Sequence, residues 1–147
     1  MHQAGLGMAK LPEILLDWRD SPQRLSRIDP RCSQQAFGQL RAHYLAGDPR
    51  LNSGRPLAMW GAGRKTRQRC RLLLERGFMP VAWVDIDPKK IGNRIQGVPV
   101  VEPAWLLQQH PKPLVLVYVR NHGAREWIQA FLDKAAYQRS RDFLFVG

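Results

Sequence analysis

Short apolar runs that alternate with helical segments constrain the fold of this chain more than any other feature. The apolar runs occupy residues 56–60, 81–85, 97–101, 114–119 and 143–146. Between them, apolar residues recur at helical spacing in residues 64–77 and 124–136, and a short helix is predicted at 103–109. Strands that alternate with helices imply right-handed crossovers and a parallel sheet. The pattern predicts a Rossmann-like α/β fold with about five mainly parallel strands flanked by helices.

The predicted strands differ in strength, and a separate segment precedes them. Residues 114–119 are apolar at every position, as expected for a strand covered on both faces. Residues 97–101 are interrupted by Pro99, which suits an edge strand. Residues 1–32 are polar and turn-rich and predict an extended tail that needs a partner surface to become ordered. The predicted domain spans residues 33–147 and opens with a helix whose apolar face contains Ala36, Phe37, Leu40, Tyr44 and Leu45.

A glycine-rich turn follows the first predicted strand. Gly61-Ala62-Gly63 lies where that strand ends and a helix begins, which is the context of a dinucleotide-binding turn. The first glycine permits the tight turn, the second lets the backbone approach phosphates, and the helix N-terminus offers free N–H groups. Thr66 occupies the third fingerprint position, where it could hold helix and strand apart or place a hydroxyl near the phosphate. The turn predicts a phosphate-binding site at residues 61–66.

Charged residues extend this predicted site. Asp85 ends the second strand, about 20 residues after the turn, where an acidic residue accepts hydrogen bonds from ribose hydroxyls. Asp87 is a second candidate, with turn formation as its alternative role. Arg64 and Lys65 are predicted to attract the phosphate. Arg69 and Arg71 are predicted to face water.

The net charge of +11 favours anionic partners. A phosphorylated small molecule fits best, because no aromatic residues are interleaved with the basic cluster and no nucleic-acid-binding signature is present, which makes nucleic acid unlikely.

The cysteines and histidines lack the spacing of a metal site, so no metal is predicted. No apolar run approaches the roughly 20 residues that cross a bilayer, and the N-terminus lacks the apolar stretch of a secretory signal, so we expect a cytoplasmic chain.

No catalytic residues are predicted. His122 lies in the loop after the fourth strand, at the edge of the sheet where α/β folds bind ligands, but it has no evident acidic or nucleophilic partner in the sequence. The chain also contains no nucleophile elbow and no Walker lysine pattern.

Several motifs resemble the C-terminal region that some bacterial family 2 glycosyltransferases carry after their catalytic domain. They comprise residues 15–20 and 24–27, which look like the end of the transferase domain, residues 29–31, Trp60 to Lys65, Val84 to Gly92, Gly97 to Val100 and Arg141 to Leu144. The segment 60–100 is also similar to nucleotide-binding domains of bacterial sugar acyltransferases and nucleotide-sugar-modifying enzymes. The resemblance implies a Rossmann-like accessory domain that binds NAD(P) or a nucleotide-sugar, in the context of surface polysaccharide synthesis.

Three functions remain open at this point. The first is a ligand-binding or regulatory module. The second is an enzyme, either an oxidoreductase or a transferase that acts with a partner chain. The third alternative is a structural domain that has lost its ligand, favoured by Thr66 and by the bulk of Met59 and Trp60 beside the turn.

Overall fold

The structure of the chain is a computed structural model that describes residues 20–121 and 123–147. Contacts divide the chain into a unit of residues 1–33 and a unit of residues 34–147. In the described part of the first unit, Leu25–Ile28 form one helical turn, α1, and Pro30–Cys32 form a 3₁₀ turn. The sequence predicted an extended tail here. The Asp29 side chain accepts a hydrogen bond from the Arg31 N–H at 2.9 Å, which caps the 3₁₀ turn and favours local helical structure over an extended chain.

The second unit contains a six-stranded sheet in the order β3-β4-β2-β1-β5-β6. Its strands are β1 (Leu57–Trp60), β2 (Ala82–Val84), β3 (Arg94–Ile95), β4 (Val98–Val101), β5 (Leu114–Val117) and β6 (Phe143–Phe145). Every pairing is parallel except that of β3 with β4. The Rossmann-like α/β fold predicted from the sequence is therefore confirmed.

Helices cover both faces of this sheet. They are α2 (Gln34–Ala46), α3 (Arg64–Leu74) and α4 (Ala124–Lys134), together with a 3₁₀ helix at Pro103–Gln108. One core cluster joins Met59 to Leu73 of α3, and the other joins Trp60 to Ile128 and Leu132 of α4. Because alternate residues of a strand point to opposite faces, β1 contributes to both clusters, and all four of its residues are buried.

The edge of the sheet differs from the prediction. The strand that contains Pro99 was predicted to lie at an edge, but the two-residue strand β3 lies outside it. Proline has no N–H to donate. The hydrogen bond towards β3 at this point comes instead from the neighbouring Val100, whose N–H donates to the Asn93 carbonyl at 2.8 Å. The hairpin turns through Gln96 and Gly97, both at positive φ. Such a two-residue strand is too short to produce a periodic signal in the sequence.

Helix α2 presents a different face to the domain than its apolar spacing indicated. Leu45 is buried, but Phe37, Leu40 and Tyr44 are 53%, 52% and 70% exposed. The side that packs on α3 includes Gly38, where a Cβ would make ordinary van der Waals contact with Leu72 Cδ1 at 3.6 Å. An apolar stripe of Phe37, Leu40 and Tyr44 therefore remains exposed on α2.

Candidate nucleotide-binding site

A cavity of about 530 Å³ lies at the carboxyl ends of β1, β2 and β5. The chain runs from β1 to β2 on one side of the sheet and reaches β5 on the other, so this is the switch point where open α/β sheets bind ligands. The cavity volume is in the range of small-molecule sites. Its lining includes seven of the eight residues predicted to bind a cofactor: Gly61, Gly63, Arg64, Lys65, Thr66, Asp85 and Asp87.

The turn at Gly61 requires glycine for two reasons. Its φ of +110° is strained for any residue with a side chain, and a Cβ there would lie 2.8 Å from Thr66 Oγ1 and 3.0 Å from Val119 Cγ2. Thr66 is buried and packs directly beneath the turn. The threonine at the third fingerprint position therefore fills the space under Gly61, and its side chain also lines the cavity.

The N-terminus of α3 opens into the cavity at Gly63. Gly63 caps the helix without a side-chain acceptor, so in the described part of the chain the N–H groups of Arg64 and Lys65 have no hydrogen-bond partner. Such groups carry the positive end of the helix dipole and bind phosphate oxygens. A Cβ on Gly63 would lie 4.0 Å from Lys90 Nζ, which places an ammonium group across from the turn.

Ala62, the eighth predicted residue, does not offer its N–H to the cavity. That N–H donates to Asp85 Oδ2 at 2.8 Å, and the other carboxylate oxygen, Oδ1, accepts the Asp87 N–H at 3.0 Å. Asp85 is buried and holds the end of β2 against the turn after β1. The Ala62 N–H is therefore not available to a ligand, because a buried carboxylate needs hydrogen-bond donors.

Lys90 connects the two acidic residues. Its Nζ lies 3.1 Å from Asp87 Oδ2 and 3.4 Å from Asp85 Oδ2. The Lys89 N–H and then Lys90 lower the pKa of Asp87. Burial opposes the charge of Lys90, but Asp87 and Asp85 together outweigh it and raise the pKa of the lysine. Sequence reasoning missed Lys90, although it stands only five residues after Asp85.

The basic residues of α3 separate into two groups. Arg64 and Lys65 are exposed and line the cavity. Arg69 was predicted to face water, but it is half-buried, lines the cavity and donates from Nη1 to the Tyr118 carbonyl at 3.2 Å. Its position one helical turn after Lys65 was the signal for this placement. Arg71 is exposed and pairs with Glu75 at 3.3 Å.

Aromatic residues form the wall opposite the acids. Trp60 and Trp127 meet edge to face with ring centroids 6.2 Å apart, and Phe131 stacks on Trp127 at 5.9 Å. Trp60 is buried, whereas Trp127 is 48% exposed and lines the cavity with Ala124 and Ile128 of the same helix. This i, i+3, i+4 spacing in α4 could have indicated a shared face. The wall suits the apolar face of a ring.

The loop after β5 completes the lining with Arg120 and Asn121. His122 lies outside the described residues. In residues 20–121 and 123–147, no group of three or more histidine, cysteine, aspartate or glutamate side chains has a metal-binding arrangement. None of the helices described has both the length and the hydropathy that a membrane crossing requires.

The chain is similar in structure to solved proteins. No family model and no curated protein sequence matches the chain. A crystal structure of UDP-D-quinovosamine 4-dehydrogenase from Vibrio fischeri superposes with a TM-score of 0.49 at 25% sequence identity, over 57% of this chain and 74% of that one. At this level of similarity the likeness says nothing about what the present chain binds.

Proposed function

We propose that this chain is a nucleotide-binding accessory domain that holds NAD(P) or a nucleotide-sugar and works with a bacterial family 2 glycosyltransferase of surface polysaccharide synthesis. The observation that carries the proposal is the N-terminus of α3 at Gly63, whose first N–H groups have no partner among the described residues and face a cavity that Arg64, Lys65, Arg69, Lys90 and Arg120 line. Against these five cations the cavity contains two carboxylates, Asp85 and Asp87. The excess of positive charge favours a ligand with more than one negative charge, such as a diphosphate.

The cavity also accounts for the remainder of such a ligand. Asp85 accepts the Ala62 and Asp87 N–H groups, and Lys90 Nζ contacts both of its oxygens at 3.4 and 3.5 Å, so a ribose hydroxyl would bind there in place of this long lysine contact. The exposed face of Trp127 offers a surface for a sugar or a base on the other side of the phosphates. A nucleotide joined to a second ring through a diphosphate thus matches the cavity: its ribose would lie at Asp85, its phosphates at the turn and its second ring on Trp127.

The proposal assigns binding and not catalysis. Cys70, the one buried thiol in the described residues, lies in the core under α3, where burial raises its pKa to about 12 and keeps it protonated at neutral pH. The carboxylate of Asp85 is held by backbone N–H groups, which favours a positioning and binding role.

Gly63→Ala tests where the ligand binds. The φ of −69° at Gly63 accepts alanine, so the added methyl should leave the fold intact while it fills the space between the turn and Lys90. We expect NAD, NADP or a UDP-sugar to bind the wild type in calorimetric titration, and Gly63→Ala to weaken that binding about tenfold or more. Gly47→Ala is the matched control, because Gly47 lies outside the cavity and has no positive φ. Equal affinity in both variants would place the ligand elsewhere.

A structural domain without a ligand is the competing function, and one observation favours it. The Ala62 N–H, which was expected to face phosphate, is already occupied by Asp85. Asp85→Ala separates the two functions. Under the binding proposal it weakens nucleotide affinity by about 1–3 kcal/mol, through loss of a hydrogen-bond acceptor. If the wild type binds none of the three ligands, the structural function is the correct one.

The glycosyltransferase association predicts a docking surface. The exposed stripe of Phe37, Leu40 and Tyr44 on α2 is a candidate, since exposed apolar side chains grouped on one helix face are typical of interaction sites. Sedimentation with a purified family 2 catalytic domain tests it. We expect Leu40→Ser to reduce association, whereas unchanged association would remove α2 from the interface.

A further inference from the structure

A second cavity lies between α2 and α3, separate from the turn at Gly61. Its volume is about 590 Å³, similar to that of the first cavity. Gly38 of α2 and Leu72 of α3 lie next to each other, and both line this groove. The groove extends from there between the polar faces of the two helices.

All of the charged side chains that line this groove are positive. Arg41 of α2 and Lys65, Arg69 and Arg71 of α3 all contribute to it, and no aspartate or glutamate does. Three glutamine amides, Gln34, Gln35 and Gln68, supply further hydrogen-bonding groups. A cavity with four cations and no carboxylate is complementary to an anion.

Arg69 shows how closely these cations are gathered. Burial lowers the pKa of Arg69, and the neighbouring charges of Arg120 and Arg41 lower it further. The guanidinium is held by its hydrogen bond to the Tyr118 carbonyl, so it cannot move away from them without losing that bond. In the part of the chain that the structure describes, neither Arg69 nor Arg41 forms an ion pair.

Some arginines elsewhere in the chain have carboxylate partners. Arg31 pairs with Asp29 at 2.6 Å, and Arg55 pairs with Asp142 at 2.9 Å. Within the groove, Arg71 pairs with Glu75 at 3.3 Å, whereas Arg41, Lys65 and Arg69 have no carboxylate partner among the described residues. An uncompensated cluster of like charges costs folding free energy, and a bound anion would remove that cost.

We propose that the groove between α2 and α3 is a second anion-binding site, which takes the phosphate or diphosphate group of a ligand other than the one at Gly63. Arginine guanidinium groups match the oxygens of a phosphate with two parallel hydrogen bonds. Lys65 and Arg69 line both cavities, so the two sites share cations. Anions bound at both sites therefore compete for Lys65 and Arg69, and each weakens the binding of the other.

Titration with inorganic pyrophosphate at low ionic strength tests the site, with amide NMR shifts to locate the binding. We expect shifts at Gly38, Gln68 and Leu72 in addition to those at Gly61 and Gly63. Arg41→Gln removes a cation that lines the groove and not the first cavity, and should weaken the groove event about tenfold. Arg67→Gln is the matched control, because Arg67 is an exposed residue of α3 that lines neither cavity.

The outcomes separate this site from the nucleotide site and from a general charge effect. Equal weakening by Arg41→Gln and Arg67→Gln, or shifts confined to the turn, would overturn the proposal. Shifts at the groove without any at the turn support it even if the chain binds no nucleotide. Vesicles of phosphatidylcholine with and without phosphatidic acid distinguish the sources of the phosphate: binding that requires phosphatidic acid and falls in Arg41→Gln assigns a lipid headgroup, and pyrophosphate binding alone assigns a free ligand.

Discussion

Arginines at the amino ends of the strands are enclosed by acceptors, whereas those at the carboxyl ends face cavities. Arg55, just before β1, pairs with Asp142 at 2.9 Å and donates to the Lys112 and Pro113 carbonyls before β5. At the opposite end, Arg64 and Arg120 line the cavity without a carboxylate partner among the described residues. The same residue type therefore stabilises the sheet at one end and is available to a ligand at the other.

A single substitution can break the ion pair between Arg55 and Asp142 at the amino ends of the strands. Asp142 is buried, with its carboxylate shared between Arg55 and the Gln138 N–H at 2.9 Å. Asp142→Asn leaves the Arg55 charge without its partner, so we expect a loss of about 3 kcal/mol in the free energy of unfolding. Urea denaturation measures it, and Asp133→Asn on the exposed side of α4 should cost about 0.5 kcal/mol or less. A similar loss in both variants would mean that the pair contributes little.

Low pH should weaken the same ion pair, because it protonates Asp142. Burial would raise the pKa of Asp142, but the Gln138 N–H and Arg55 outweigh it and hold the pKa below its usual 3.8. A carboxyl with a depressed folded-state pKa contributes stability above the unfolded value and loses it as the pH falls through the folded value. Stability should therefore decline as the pH falls below about 3.8, and less steeply in Asp142→Asn. Equal slopes in thermal unfolding across this range would contradict the assignment.

The carboxyl end should respond in ligand affinity and hardly in stability. Lys90 is 39% exposed, so its pairs with Asp85 and Asp87 contribute little to folding. Its ammonium faces Gly63, where a phosphate would bind. Lys90→Gln should weaken nucleotide binding about tenfold, or about 1.4 kcal/mol, and reduce its dependence on salt. Lys89→Gln, an exposed neighbour outside the cavity, is the control, and equal effects of the two would exclude a direct contact.

The difference between the two ends also shows what the sequence could predict. The five parallel strands and the glycine turn were readable, because strand and helix periods and positive-φ glycines are local properties. The partners of Asp85 were not, since its contact with the Ala62 N–H joins residues 23 positions apart. The exposed stripe on α2 was missed for a similar reason, because the buried face of α2 depends on its packing against α3, which is separated from it in the chain by a loop and β1. Arg69 and Arg71 were both predicted to face water, although only Arg71 is exposed.

The smallest effect on the free energy of unfolding is expected for the pair of Arg71 and Glu75, which is much more exposed than the pair of Arg55 and Asp142. Both side chains are more than half exposed, at 70% and 57%, and their closest atoms, Arg71 Nε and Glu75 Oε1, lie 3.3 Å apart. Water and salt screen such a pair, and the basic residue precedes the acidic one, which is the weaker order on a helix. Glu75→Gln should therefore change the free energy of unfolding by about 0.3 kcal/mol or less, measured in urea beside Asp142→Asn. A loss near that of Asp142→Asn would show that exposure does not separate structural arginine pairs from solvent-facing ones in this chain, and the contrast between the two ends of the sheet would lose its physical basis.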